Sequence, residues 1–300
     1  MQFDCVIVGG GIAGLQAAIQ LGRYGYQIAV IDAGEGRSTL CKSYHNLIGF
    51  PDGVSGAELL ASGKEQAKRL GVTFIKGWVT DAARIDNNWS ITIANDRQLQ
   101  GRTMLLATGV KDRIPNFPML IPCMGISVFV CPDCDGYEIM NKPALVIGAG
   151  NAGARMALTL THWTGDIIYV NHDGTSIEPH VRAELEAKEI SCIQLPISEI
   201  LAAGEQFKGI ILDDGSVINR SHCFVAFGGN EVRSSLARQL GADLTENNHI
   251  KVDPRTKLTS VNHLWAAGDV TAHSEMVTIA MGDGSQAAVW IHKSLSTIEK

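Results

Sequence analysis

Two stretches of this sequence share one pattern, an apolar run that ends in a glycine cluster and passes straight into a helical stretch. The first is Cys5-Val6-Ile7-Val8, then Gly9-Gly10-Gly11-Ile12-Ala13-Gly14, then a helix expected over 15–21. The second is Ala144-Leu145-Val146-Ile147, then Gly148-Ala149-Gly150-Asn151-Ala152-Gly153. Strand, tight turn and helix in this order form the unit of a parallel sheet. The glycines of such a turn let backbone N–H groups approach a pyrophosphate with no Cβ in the way. The next strand, over 28–31, delivers Asp32 about twenty residues on, where a carboxylate accepts from a ribose hydroxyl.

Further turns of the same kind follow. Leu105-Leu106-Ala107-Thr108-Gly109 is a strand that stops at a glycine, and Leu264-Trp265-Ala266-Ala267-Gly268-Asp269-Val270 brings a glycine and an acid to a strand end. The helix expected after it, over 276–292, carries the small residues Ala280, Gly282, Gly284, Ala287 and Ala288, which permit close packing. Between the two glycine fingerprints lies Cys131-Pro132-Asp133-Cys134-Asp135-Gly136. Two cysteines at this spacing can open and close a disulfide, and an acid beside them can move the accompanying proton. Asp135 also reads as a helix-capping carboxylate, a role compatible with proton transfer.

The turns around the first fingerprint resemble the FAD-binding set of flavoproteins with two dinucleotide-binding domains. With the dithiol placed just before the second fingerprint, the pattern resembles the low-molecular-weight thioredoxin reductase family over essentially the whole chain. The Asp32-Ala33-Gly34 strand end looks closer to dithiol-oxidase relatives. The resemblance implies an α/β fold of two Rossmann-like domains, each three-layer ββα, with a discontinuous FAD domain. Its expected boundaries are 1–113 and 230–300 for the FAD domain, and 114–229 for a central domain like those that bind NAD(P), which carries the dithiol. The residues expected to hold FAD are Gly9, Gly11, Ile12, Ala13, Gly14, Asp32, Asn46, Val79, Ala107, Thr108, Gly109, Gly268, Asp269, Met276 and Val277. Cys134 is then the sulfur nearer the flavin, Cys131 the one that attacks a substrate disulfide, and Asp135 the proton donor and acceptor. A homodimer is expected, as is rotation of the central domain about linkers near 109–118 and 227–230.

A nicotinamide nucleotide would use Gly148, Gly150, Asn151, Ala152, Gly153 and Asp173. Here the sequence departs from the family pattern, because His172 and Asp173 stand where enzymes that use NADPH carry arginines for the 2′-phosphate. The donor is therefore NADH, or NADPH held by other contacts, or not a nicotinamide at all. Ferredoxin or a second flavin is the alternative electron partner.

Composition narrows the field. The net charge is −6 and the basic residues are scattered, which disfavours nucleic acid as a partner. The chain enters its first apolar run at once, and no run approaches the roughly 18 residues of a membrane span. A cytoplasmic, non-membrane protein is expected. Of the seven cysteines, Cys5, Cys192 and Cys223 lie in strand-like runs and read as core residues, while Cys41 and Cys123 lie in loop-like segments. No second CxxC stands by to complete a zinc site, so no metal is expected. Three activities fit: a flavin-dependent reductase of a thioredoxin-like protein or small disulfide, a dithiol oxidase running the same site in reverse, and a non-enzymatic redox sensor.

Overall fold

A computed structural model of the protein describes residues 2–297. The chain forms two compact units and passes between them four times. The first unit opens with strands β1 (Gln2–Val8) and β2 (Ile28–Asp32) around helix α1 (Ile12–Arg23). Helix α2 (Gly56–Arg69) and strand β3 (Thr73–Lys76) follow. Next come β4 (Val79–Ile85), β5 (Asn88–Ile93), the long β6 (Arg97–Leu106) and the short β7 (Val110–Lys111).

β1 lies parallel between β2 and β6, and β3 extends the sheet beyond β2. Cys5, Val6 and Ile7 are wholly buried, as a central parallel strand covered on both faces requires. β4, β5 and the first half of β6 form an antiparallel meander instead. One apolar cluster, with Trp89, Ile91 and Met104, joins the meander to the parallel sheet, and another, with Ile7 and Leu21, joins that sheet to its helices.

The second unit takes the chain over Asp112–Asn230. It holds β8 (Val128–Phe129), the one-turn helix α3 (Pro132–Asp135), β9 (Ala144–Gly148), α4 (Gly150–Leu160), β10 (Ile167–Asn171), α5 (Pro179–Ala187) and β11 (Ser191–Ile193). Then follow β12 (Ile197–Ala203), β13 (Gln206–Leu212), β14 (Val217–Asn219) and β15 (His222–Ala226). The parallel sheet runs β11-β10-β9-β15-β8, with an antiparallel β12-β13-β14 meander beside it. Both units thus repeat one plan: a parallel sheet, a meander and helices.

The chain then re-enters the first unit through β16 (Glu231–Val232), which pairs with β7. After α6 (Ser235–Gln239), strand β17 (Leu264–Ala266) joins β6, and the long helix α7 (Val277–Thr297) packs along α1. Among the described residues no helix is long and apolar enough to cross a membrane.

The partition differs from the sequence expectation in one segment. Leu40–Ser55 groups with the second unit, although residues 1–113 were expected to stay in the first. This segment closes on itself where Tyr44 N–H donates to Val54 O at 2.8 Å, and a Cβ on Gly125 would lie 2.6 Å from Lys42 N. The glycine contact, with the Lys42–Glu205 ion pair, holds it there, and neither is visible as composition.

Candidate active site

In the first unit the parallel strands β1, β2, β6 and β17 end at one edge, so their following turns converge, the usual ligand edge of such a sheet. A Cβ on Gly9 would sit 2.1 Å from Ala107 O, and one on Gly14 would sit 2.0 Å from Gly9 O. Only glycine fits this crossing. Gly11 has nothing within 4 Å of that position, and it caps the start of α1 with no side-chain acceptor and no acid in the first turn. The N–H groups at the head of α1 thus receive no bond from a capping side chain and face no acid of their own first turn. Asp32 ends β2 and accepts the Gly10 N–H through Oδ1 at 3.1 Å, fixing the turn to the neighbouring strand.

The remaining expected cofactor residues of this unit lie around that edge. Val79 begins β4. Thr108 donates its hydroxyl to Arg233 O at 2.6 Å, and Gly109 (φ +70°) accepts the Arg233 N–H at 3.0 Å. Gly268 (φ +79°) leaves only 2.8 Å between an added Cβ and that of Ala13. Burial pushes the Asp269 carboxyl up, and Arg37, 3.2 Å away, pulls it back. Met276 and Val277 stand at the head of α7, where Met276 O accepts from Ala280 N–H. Asn46 falls in the Leu40–Ser55 segment and so in the second unit.

Behind the Gly268 turn is a cluster that the sequence reading missed. Asp283, buried on α7, accepts from Gly268 N–H at 3.1 Å, from Lys257 Nζ at 2.7 Å, and pairs with His273 Nε2 at 2.5 Å. Burial alone would raise its carboxyl. The hydrogen bonds from His273 and Lys257 outweigh that and hold it below the usual carboxylate range.

In the second unit Cys131 and Cys134 are joined as a disulfide, with Cα atoms 5.3 Å apart. Cys131 caps α3, its Sγ accepting the Cys134 N–H at 3.2 Å, and Pro132 starts the turn at a position where no N–H is needed. Burial, and then the charge of Glu138, pushes the Asp135 carboxyl up to about 7, while His45 pulls it down. A group poised there can hold and release a proton at neutral pH.

The family profile of the pyridine nucleotide-disulphide oxidoreductases matches residues 3–284. The chain belongs to that family. It is 28% identical over 310 residues to a thioredoxin reductase of Aquifex aeolicus, covering 99% of this chain and 95% of that one. It superposes on the crystal structure of HlmI with a TM-score of 0.87 at 28% identity, covering 98% and 93% of the two chains. For an oxidoreductase from Agrobacterium tumefaciens the TM-score is 0.82 at 30% identity, with complete coverage of both. The resemblance to low-molecular-weight thioredoxin reductases and the two-Rossmann α/β class therefore hold, and the protein is an oxidoreductase. That family implies FAD, and the first unit fits it, with a side-chain-free helix start at Gly11 and a glycine crossing that no Cβ could share.

The second glycine turn of this family member is built differently. Asn171, fully buried at the end of β10, accepts the Gly150 N–H through Oδ1 at 2.9 Å and donates Nδ2 to Thr175 O at 2.8 Å. Tyr169 donates its hydroxyl to Gly150 O at 2.8 Å, and its ring fills the space beside Gly153. A Cβ on Gly150 would lie 3.0 Å from Thr175 Cγ2 and 3.1 Å from Ser176 O, and the Asn151 side chain accepts Glu178 N–H at 2.9 Å. The chain after β10 therefore lies over its own glycine turn, and Gly148, Ala149 and Gly150 are all buried. Ala152 instead faces a cleft of about 210 Å³ shared with Arg113, Met156, Phe227 and Asn230. His172 is a structural residue, its Nδ1 accepting Ile197 N–H at 2.8 Å between the rings of Phe117 and Phe227. Asp173 pairs with Arg113. Among the described residues no group of three His, Cys, Asp or Glu side chains could hold a metal ion.

Asn171 could have been found by its position as the strand-end partner of the turn, as Asp32 is in the first unit. Arg113, Asp283 and the His45–Glu138 pair carry no local sequence signal.

Proposed function

We infer that the protein is an FAD-dependent thiol–disulfide oxidoreductase that works through Cys131 and Cys134, with a thioredoxin-like protein or a small disulfide or dithiol as its partner. The observation that carries this is a redox-spaced disulfide at the head of a helix, followed by a carboxyl poised near neutrality. FAD, when bound, supplies a carrier for an electron pair. The Cys131 sulfur receives the Cys134 N–H, which stabilises it as a thiolate and fits it to attack. Attack on a substrate disulfide breaks that bond and forms a mixed disulfide, and the departing thiolate takes a proton. Cys134 then attacks the Cys131 sulfur, closing their disulfide and releasing the second substrate thiolate. Two electrons leave the cysteine pair, and Asp135 holds or returns the proton of Cys134. Run backwards, the same steps oxidise a dithiol.

Against a nicotinamide dinucleotide in the second unit stand the Gly150 N–H, which is taken by Asn171 Oδ1, and the crowding of the Gly150 Cβ position by Thr175 and Ser176. This favours electrons arriving from a substrate dithiol, ferredoxin or a second flavin. A cytoplasmic homodimer completes the reading. Anaerobic titration of the holoprotein with a small dithiol tests it. The flavin absorbance should bleach in the unmodified protein and stay unchanged in Cys131→Ser and Cys134→Ser, and bleaching in both variants would remove the dithiol from the reaction.

A further inference from the structure

Trp78 stands two residues past the end of β3 and is 47% exposed, an open aromatic ring beside the edge where the cofactor turns gather. Lys76 is the sheet partner of Asp32, and the Gly77 N–H donates to Asp32 O at 3.0 Å. The guanidinium of Arg233 lies over the Trp78 ring, 5.3 Å from its centroid. Arg233 is itself locked in place. Its N–H donates to Gly109 O, its carbonyl accepts the Thr108 hydroxyl, and its Nη atoms donate to Glu35 O and Glu35 Oε2 at 3.2 and 3.3 Å. Only 12% of its side chain is exposed. The turns after β2, β3 and β6 thus meet around one flat pair of side chains, all within the first unit.

We propose that Trp78, backed by Arg233, is the platform on which the adenine of FAD stacks, so that it sets the preference for a flavin dinucleotide over a mononucleotide. The inference rests on the reading that the first unit binds FAD. Neither residue belongs to the set that the family resemblance implies. A dinucleotide on a strand–turn–helix unit puts its pyrophosphate at the head of the helix, here α1, and its adenosine ribose at the acid that ends the next strand, here Asp32. The base must then extend beyond β2, away from α1. The sheet order places β3 there, and past its end the open π-face is that of Trp78. Charge favours a neutral base at this point over a further phosphate, because Glu35 already balances Arg233. With the indole held by Arg233, little ordering remains to oppose the stacking of a base on its open surface.

The experiment strips the full chain of flavin and titrates it calorimetrically with FAD, ADP and FMN. ADP keeps the adenosine and two phosphates, whereas FMN lacks the adenosine. Trp78→Ala should weaken FAD and ADP by roughly tenfold and leave FMN unmoved. Trp78→Phe should restore most of that affinity, yet lose most of the quenching of protein fluorescence that ADP causes, because the indole that meets the base is gone. Arg233→Met keeps length without the flat cation and should weaken FAD and ADP in the same direction. A merely structural role would weaken all three ligands alike. That result, unchanged FAD and ADP affinities in Trp78→Ala, or undiminished ADP quenching in Trp78→Phe, overturns the proposal. An unmodified chain that binds none of the three would instead sink the FAD reading, and this inference with it.

Discussion

Arg113 Nη2 lies 2.8 Å from Asp173 Oδ2, so the acid that the sequence offers as a repeller of phosphate is paired with a cation sixty residues upstream. Arg113 also lies over the Phe227 ring, 5.5 Å from its centroid. Charge at residue 173 is therefore a poor guide to nucleotide choice. On the proposed reading the constraint is instead the Gly150 turn, whose N–H is taken by Asn171 and whose Cβ position is crowded by Thr175 and Ser176, features that would meet any dinucleotide regardless of its ribose. Both NADH and NADPH should reduce the flavin slowly and without saturation, and Asp173→Arg should not rescue NADPH. Stopped-flow mixing under anaerobic conditions measures this. Fast, saturable reduction by low-micromolar NADPH would mean that the covering segment opens readily.

The cysteines should separate by spectrum. In the proposed reaction Cys131, whose sulfur receives the Cys134 N–H, is the attacking sulfur and Cys134 the partner of the flavin. Cys131→Ser should then retain or strengthen a long-wavelength thiolate–flavin charge-transfer band, and Cys134→Ser should abolish it. Loss of the band in Cys131→Ser alone would exchange the two roles.

What could be read from the sequence was local in the chain. Gly9 to Gly14 and Gly148 to Gly153 announce strand, turn and helix because the apolar run, the glycines and the following helix are contiguous in the chain, although the partners that crowd Gly9 and Gly148, Ala107 and Ala226, lie far along it. Asp32 was legible for the same reason, as the last residue of its strand. In the second unit the twenty-residue count pointed to Asp173, while the side chain that holds the turn is Asn171, two residues earlier, at the true strand end. Pairings across long separations left no trace. His45 with Glu138, and Arg113 with Asp173, join segments that only the folded chain brings together. Leu40–Ser55 joins the second unit through contacts that composition does not encode, the close approach of Gly125 to Lys42 and the pairs Lys42–Glu205 and His45–Glu138.

Asp283 should be among the most sensitive residues outside the redox centre. Asp283→Asn removes the charge that satisfies Lys257 and His273 and weakens the acceptor of the Gly268 N–H. Breaking a buried pair by removing one partner costs about 3–5 kcal/mol. The variant should melt well below the unmodified protein and release FAD more readily, as followed by flavin fluorescence during heating. An unchanged melting temperature together with unchanged FAD retention would count against this cluster as the support of the Gly268 turn.

Asp135 should leave its mark on stability as well as on turnover. Its carboxyl is raised from 3.8 to about 7 in the fold, chiefly by burial, so the folded protein binds that proton more tightly than the unfolded chain does. The resulting stabilisation is complete below the unfolded value and is lost as pH rises through about 7. In the oxidised protein, stability should therefore decline between about pH 4 and pH 7 by an amount bounded at about 4 kcal/mol, the limit set by the shift. Asp135→Asn carries no ionisable carboxyl, so its stability should be flatter across this window and should exceed that of the unmodified protein above pH 7. Denaturant midpoints of both proteins at pH 5 and pH 8 measure the difference. Parallel changes in the two would show that Asp135 titrates as an ordinary surface acid, which would also remove it as the proton holder at Cys134.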